Sequence, residues 1–303
     1  MVNPLSKRQI DYNLASRDGW QAFASHREIV TELLSVGARP GNSRLCILGA
    51  GNSNDVDLAH LLRSHREIHL VDLDADALVR GVARQGFAEN PAVKCHGGID
   101  VTGMLDTLAA KSPQCEIRPA DVDAFIAEPF RQVGSALPGP FDVVASTCLL
   151  SQLIGAVSDT LGQGHPRFLE VVQAIRAGHL HLLVQLVSPG GISVLTTDIV
   201  SSDSHPPLRS VAEETLFDVV AQLIADRNFF HGVNPAVLLS LFRSDPLLER
   251  EVASVEASRP WRWNLGPRVY AVCALTARRR GIGASQGDSE CESLSGKCCC
   301  CKP

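Results

Sequence analysis

Short apolar strands alternate with helical segments from residue 44 to residue 197, and this rhythm constrains the fold more than any other feature of the chain. Residues 44–48, 68–73, 92–96, 141–146 and 192–197 read as strands, and Pro138-Gly139-Pro140 sets the start of the fourth. Residues 55–64, 75–85 and 168–187 read as helices, the last stopped by Ser188-Pro189-Gly190-Gly191. Repeated strand–helix–strand order builds a mostly parallel sheet with helices on both faces. The end of the chain departs from this order. After helices over 213–227 and 235–242, extended segments at 250–258 and 268–277 are joined by a 260–267 loop that carries Trp261 and Trp263. Strands joined this closely pair antiparallel, as a hairpin. The expectation is therefore an α/β fold with seven strands and a C-terminal antiparallel hairpin.

Composition narrows the class. Of 303 residues 45% are hydrophobic, enough for one sizeable core, and the formal net charge is -5. No basic excess points to nucleic acid. No apolar run approaches the roughly 20 residues that span a bilayer, so no membrane is expected as partner. Residues 1–14 are polar and lack a signal-peptide core, so no signal peptide is expected and the expected location is the cytoplasm. Five of the ten cysteines (Cys46, Cys95, Cys115, Cys148 and Cys273) are scattered and read as small buried hydrophobes. Cys291 and Cys298 to Cys301 fall in a Gly-, Ser- and charge-rich tail over 281–303, expected to be disordered. Four consecutive thiols do not make one unstrained tetrahedral site, and no metal site is expected inside the domain. The organisation is then a helical segment over 1–43, a catalytic or binding domain over 44–280, and the tail. In the first segment Trp20, Phe23, Arg27, Val30 and Leu34 share one helical face, with Asp18 as cap and Gly37 as stop. That helix packs on the core, or closes over a ligand through Trp20, Phe23, His26 and Arg27.

The first strand runs through Leu45-Cys46-Ile47-Leu48 into Gly49-Ala50-Gly51-Asn52-Ser53-Asn54-Asp55. Two glycines after a strand allow a tight turn and close approach of a ligand to the backbone. The second strand, Ile68-His69-Leu70-Val71-Asp72-Leu73, ends in an acid 21 residues beyond Gly51. An acid so placed accepts hydrogen bonds from ribose hydroxyls. Three features separate the cofactors that use this arrangement. A dinucleotide fingerprint wants a third glycine where Asn54 stands. Neither Tyr12 nor Tyr270 has the lysine four residues on that a short-chain reductase needs. The closing hairpin does not suit a typical dehydrogenase.

Residues 44 to 277 resemble the class I S-adenosylmethionine-dependent methyltransferases, whose fold is Rossmann-like. The first motif of that family, an acid followed by three alternating glycines, is similar to Ile47-Leu48-Gly49-Ala50-Gly51-Asn52-Ser53, with Ile47 for the acid and Ser53 for the third glycine. The resemblance implies S-adenosyl-L-methionine as cofactor, held by Gly49, Ala50 and Gly51. It leaves Asn52, Asn54 or Asp55 to meet the methionine ammonium group in place of the missing acid. It implies Asp72 on the ribose, Leu73 beside the adenine, and Asp100 of Gly98-Ile99-Asp100 at the adenine amino group. Phe141 to Leu150 resembles the fourth motif, so that Ser146 and Thr147 face the methyl group. Pro189-Gly190-Gly191 also matches.

Methyl transfer from a sulfonium needs little beyond in-line positioning, which supplies roughly 7–11 kcal/mol of the barrier. A protonated acceptor still needs a base. Ser151 and Gln152 follow the fourth strand and should line the mouth of the site. Asp198 ends the fifth strand, where ligands of parallel sheets bind. His165, His205 and His231 lie in loops, and His165 and His205 join Asp198 as candidate bases. The expected function is methylation of a small-molecule acceptor. Another group transfer from the same cofactor, a degenerate fold kept as a binding or scaffold protein, and an NAD-dependent oxidoreductase are the competing readings.

Overall fold

The computed structural model describes residues 3–38 and 41–282, so Pro40 and the whole run from 283, with Cys291 and Cys298 to Cys301, lie outside the described residues. Helices α1 (Pro4–Ser16) and α2 (Ala24–Val36) precede strand β1 (Ser43–Leu48). The alternation follows as α3 (Leu58–Ser64), β2 (His65–Asp72), α4 (Ala75–Arg84), β3 (Val93–Gly97), α5 (Leu105–Ala109), α6 (Pro119–Ala136), β4 (Phe141–Thr147), α7 (Leu150–Leu161), α8 (Phe168–Leu186) and β5 (Val187–Ser201). Helices α9 (Glu213–Ala225), α10 (Pro235–Ser244) and α11 (Pro246–Glu251) then lead to β6 (Val252–Ala257), β7 (Trp261–Asn264) and β8 (Val269–Arg279).

The sheet runs β3-β2-β1-β4-β5-β8-β6, with β7 also on β8. The first five strands are parallel, and β1 sits between β2 and β4, with Leu45 opposite both Ile68 and Val143. β8 runs antiparallel to β5, β6 and β7. This is a Rossmann-like α/β fold closed by an antiparallel strand. Successive side chains of a strand point to opposite faces. Thus Leu45 and Ile47 pack with Val30, Leu34, Leu58 and Leu78 from α2, α3 and α4, in one core. Cys46 and Leu48 join Phe125, Val157 and Leu182 from α6, α7 and α8 in the other. Burial on both faces explains why the parallel strands read as continuous apolar runs.

Several expectations need correction. The sheet is seven strands wide as expected, but an eighth, β7, lies in the segment read as a loop. Trp261 and Trp263 point inward from it, and β6 and β7 share the outer edge of β8. Within the helical segment expected over 1–43, residues 4–16 form a separate helix, α1, capped by Asn3 with Pro4 at its first turn. The second helix begins at Ala24, with Phe23 and not Asp18 at the cap. Helix α3 begins at Leu58 because Asp57 caps it, accepting from the His60 amide at 2.9 Å. Cys46, Cys148 and Cys273 are buried, whereas Cys95 is exposed and Cys115 half-buried, since edge strand β3 and the loop before α6 are covered on one side only. Among the described residues no helix is long and apolar enough to cross a membrane.

Candidate functional site

The carboxyl ends of β1, β4 and β5 open into a cavity of about 700 Å³. Its floor is the turn after β1. Gly49 and Gly51 adopt φ of +73° and +46°, a region costly for any side chain but glycine's hydrogen. The Gly49 amide donates to the Val71 carbonyl at 2.9 Å, which ties the turn to β2. The Gly51 amide donates to Asp72 Oδ2 at 2.8 Å, and the Asp74 amide donates to Asp72 Oδ1 at 2.8 Å. Two backbone donors therefore fix the carboxylate beside the glycine turn. Burial pushes the Asp72 carboxyl up, and the bonds from Asp74, Gly51 and Asn13 oppose that rise. Helix α4 holds the rest of the loop, with Gln85 Nε2 donating to the Ser53 and Val56 carbonyls at 3.0 and 3.1 Å.

Helix α1 roofs this turn. Asn13 Nδ2 reaches Asp72 Oδ1 at 3.3 Å and Asp74 Oδ2 at 3.4 Å. A Cβ on Gly51 would stand 2.6 Å from Asn13 Oδ1, so a side chain at position 51 would push the Asn13 amide aside. Asn52 Nδ2 donates to the Asn13 carbonyl at 2.6 Å, and Asn54 Nδ2 to the Ser16 carbonyl at 2.8 Å. Gln9 and Asn13 also wall off a second recess of about 60 Å³, lined by Asp72, Leu73 and Asp100. That volume is far below the roughly 300 Å³ at the low end of ligand pockets. The Asp100 carboxylate is engaged locally, accepting from the Thr102 and Leu105 amides at 2.9 and 2.8 Å.

Polar groups beyond the turn lack partners. Asn52 and Asn54 line the cavity and are buried, and the Oδ1 of each accepts no hydrogen bond. Asp55 lines the cavity beside them. His26, buried behind Asp55, accepts at Nδ1 from Trp261 Nε1 at 3.1 Å and stacks on Trp263 at 4.5 Å. That bond leaves its Nε2 facing Asp55 Oδ1 at 3.1 Å, out of line for a hydrogen bond. An unpaired buried acceptor costs about 1–3 kcal/mol, so this rim is matched to a ligand rich in N–H donors.

The opposite flank comes from β4 and β5. Thr147, Cys148, Ser151, Gln152 and Asp198 line the cavity. Burial holds the Cys148 thiol well above its ordinary range, so it is no nucleophile. Ser151 Oγ donates to Asp198 Oδ1 at 2.6 Å. Burial pushes the Asp198 carboxyl up to about 6, against the lowering effect of the Ser151 bond. The β5 ladder shifts register between Asp198 and Val200, and such bulges re-aim side chains next to sites.

The structure thus gathers Gly49, Ala50, Gly51, Asn52, Asn54, Thr147 and Asp198 around one cavity, with Asp72, Leu73 and Asp100 on the adjoining recess. It does not bring Ser146 there. Strand alternation turns that side chain to the other face, where its Oγ pairs with His179 Nε2 at 2.8 Å, and burial lowers the imidazole to about 4. His165 Nε2 meets the Cys115 carbonyl at 3.0 Å while Nδ1 accepts from the Arg167 amide, a local loop staple away from the cavity. His205 caps a short 3-10 turn and lines neither space. Arg27 and Trp20 stack on each other at 3.5 Å, and Arg27 donates to the Trp20 and Asn54 carbonyls, so α2 packs on the core and α1 is the covering helix. The residues missed were Gln9, Tyr12, Asn13, Phe230 and Tyr270, all on the cavity. For α1 the available signal was the Asn3-Pro4 cap and the one-face spacing of Leu5, Gln9, Tyr12 and Ser16.

No protein-family model matches the sequence. No curated protein matches it either. Among solved structures, the chain is similar to an O-methyltransferase family protein from Burkholderia thailandensis at 15% identity and TM-score 0.44, over 90% of this chain and 60% of that one. It therefore spans little more than half of that protein's length. It is also similar to 1,6-didemethyltoxoflavin-N1-methyltransferase from the same organism, solved with S-adenosylhomocysteine, at 15% identity and TM-score 0.44 over 91% and 87% of the two chains. Magnesium protoporphyrin IX methyltransferase from Synechocystis is similar at 13% identity and TM-score 0.40 over 86% and 82%.

Proposed function

We propose that this chain binds S-adenosyl-L-methionine and transfers its methyl group to a small-molecule acceptor. The observation that carries the reading is the Asp72 carboxylate, held by the Gly51 and Asp74 amides at the wall of a glycine turn. A carboxylate has about four acceptor sites. Two serve the backbone, Asn13 Nδ2 reaches Oδ1 at 3.3 Å, and the remaining capacity suits a ribose hydroxyl. The glycines at 49 and 51 present no side chain of their own to a ligand, and both residues line the cavity. Asn52, Asn54 and Asp55 offer unpaired or cavity-facing oxygens to a primary ammonium, which carries three N–H donors, as the amino-acid end of this cofactor does. The bound cofactor supplies an electrophilic methyl on a sulfonium. The protein binds, orients the acceptor and excludes water. Calorimetry with S-adenosylmethionine, S-adenosylhomocysteine and NAD tests the reading. Both adenosyl compounds are expected to bind, and NAD is not. Failure of both adenosyl compounds to bind overturns the reading, and binding without turnover on any acceptor favours a scaffold.

A further inference from the structure

The flank of the cavity opposite the glycine turn is aromatic. Phe23 meets Trp263 edge-on at 5.1 Å between ring centroids. Trp263 lies 5.4 Å from Tyr270, and Tyr270 6.2 Å from Phe230. All four residues line the cavity, Phe230 and Tyr270 half-buried and Phe23 and Trp263 buried behind them, so together they make one aromatic flank. They come from four places in the chain: the segment before α2, the loop after α9, β7 and β8. Polar groups on this side are sparse and mostly engaged. Arg8 pairs with Asp159, and Arg268 pairs with Asp203 at 2.6 Å. Two groups differ: His231, exposed on the cavity and edge-on to Phe168 at 5.8 Å, and Asp198. Asp198 is 7% exposed and on the cavity, its Oδ1 takes the Ser151 hydroxyl, and its own backbone amide also bonds the carboxylate. Among the described residues no lysine or arginine forms an ion pair with it, and the cation-capable group that acts on its carboxyl is His26, which lowers it.

We propose that the acceptor is an aromatic or heteroaromatic ring carrying an O–H or N–H, stacked on the Trp263–Tyr270–Phe230 wall, and that Asp198 Oδ2 removes that proton. The inference rests on the methyltransferase reading and names its substrate class and base. Aromatic pairs prefer offset or edge-on arrangements, and the half-buried Tyr270 and Phe230 rings offer such contacts to a planar guest. The proton to be removed must be acidic enough for a carboxylate. A ring hydroxyl, with a phenol's ordinary value near 10, lies far closer to a carboxylate raised by burial than an aliphatic alcohol does. Asp198 takes the proton and becomes neutral. The electron pair left on the acceptor oxygen or nitrogen forms the bond to the methyl carbon. The carbon–sulfur bond breaks with its pair going to sulfur, which leaves a neutral thioether. Asp198 returns its proton to solvent.

The test uses the full chain saturated with S-adenosylhomocysteine, with 4-hydroxyquinoline, 1-naphthol and 5-hydroxyindole as ring probes and decahydroquinolin-4-ol as the saturated control. By calorimetry at least one ring probe is expected to bind tenfold or more tighter than the control. Tyr270→Leu should weaken the ring probe about tenfold and leave S-adenosylhomocysteine affinity unchanged. With S-adenosylmethionine, turnover of the bound ring compound should fall 10²- to 10⁴-fold in Asp198→Asn, the range of general-base catalysis. In the wild type kcat/KM should rise with pH and level off, and Asp198→Asn should lose that rise. Equal binding of the saturated control overturns the substrate class. A ring probe that binds but is not turned over, or an Asp198→Asn variant that keeps the rise with pH, overturns the base. If S-adenosylhomocysteine itself does not bind, the methyltransferase reading falls first.

Discussion

Asp198→Asn should make the protein more stable while disabling it. The carboxyl is 7% exposed, and burial raises it from an ordinary 3.8 to about 6. At 1.36 kcal/mol per pH unit, that rise corresponds to about 3 kcal/mol of destabilisation whenever the group is charged in the fold. The sign follows from proton uptake. Between about pH 4 and 6 the native state holds a proton that the unfolded chain has lost. The Asp198 contribution to stability is therefore full below about 4 and is lost as pH rises through about 6. Asparagine keeps the shape and an oxygen for the Ser151 hydroxyl, so the hydrogen bond lost costs at most about 1 kcal/mol. The variant should exceed the wild type by about 2–3 kcal/mol at pH 8, and the gap should close near pH 4. Urea unfolding followed by tryptophan fluorescence at pH 4.5, 6 and 8 measures it. Parallel stability-versus-pH curves for the two proteins, or a variant less stable at pH 8, would refute the assignment of a buried unneutralised charge.

Three further outcomes follow from the same geometry. Asp55→Asn should weaken S-adenosylhomocysteine about 10- to 100-fold, the worth of one charge-assisted hydrogen bond, and leave 5′-methylthioadenosine unchanged because it lacks the amino-acid end; equal losses on both compounds in calorimetry exclude an ammonium contact. Ser151→Ala removes the bond that holds the Asp198 carboxyl down, so the rising limb of kcat/KM should move to higher pH, and an unmoved limb would detach Ser151 from the base. Asn13→Ala frees Asp72 Oδ1 and opens the recess behind it, so 5′-methylthioadenosine should bind several-fold tighter; an unchanged or weaker affinity means that α1 does not compete for that carboxylate.

Much of the scaffold was legible because it rests on local pattern. Strand β1, Gly49, Gly51 and Asp72 are readable together, since a strand, a glycine turn and an acid at the next strand's end are each written in short stretches. What escaped depends on register or distance. Ser146 and Thr147 are neighbours on a strand buried on both faces, so no polar alternation shows which one faces the cavity. Helix α1 presents Gln9, Tyr12 and Asn13 to the site, and a polar functional face carries no apolar periodicity. The aromatic wall is assembled from Phe23, Phe230, Trp263 and Tyr270, whose proximity is purely tertiary. The loop histidines His165 and His205 drew notice as residue types, but backbone partners and distance remove them from the chemistry.

The bond from Trp261 to His26 joins positions 235 residues apart, and Tyr270 lies later still on β8, the strand inserted between β5 and β6. Chains are synthesised at about 5–20 residues per second and fold as they emerge. The parallel half of the sheet is complete once β5 is made, yet at that moment its outer edge is unpaired and the cavity has no aromatic wall. An unpaired edge is a template for pairing with other chains. The aromatic flank is thus the last part of the cavity to form, and the seconds between β5 and β8 are when the outer edge of the sheet stands open to pairing with other chains.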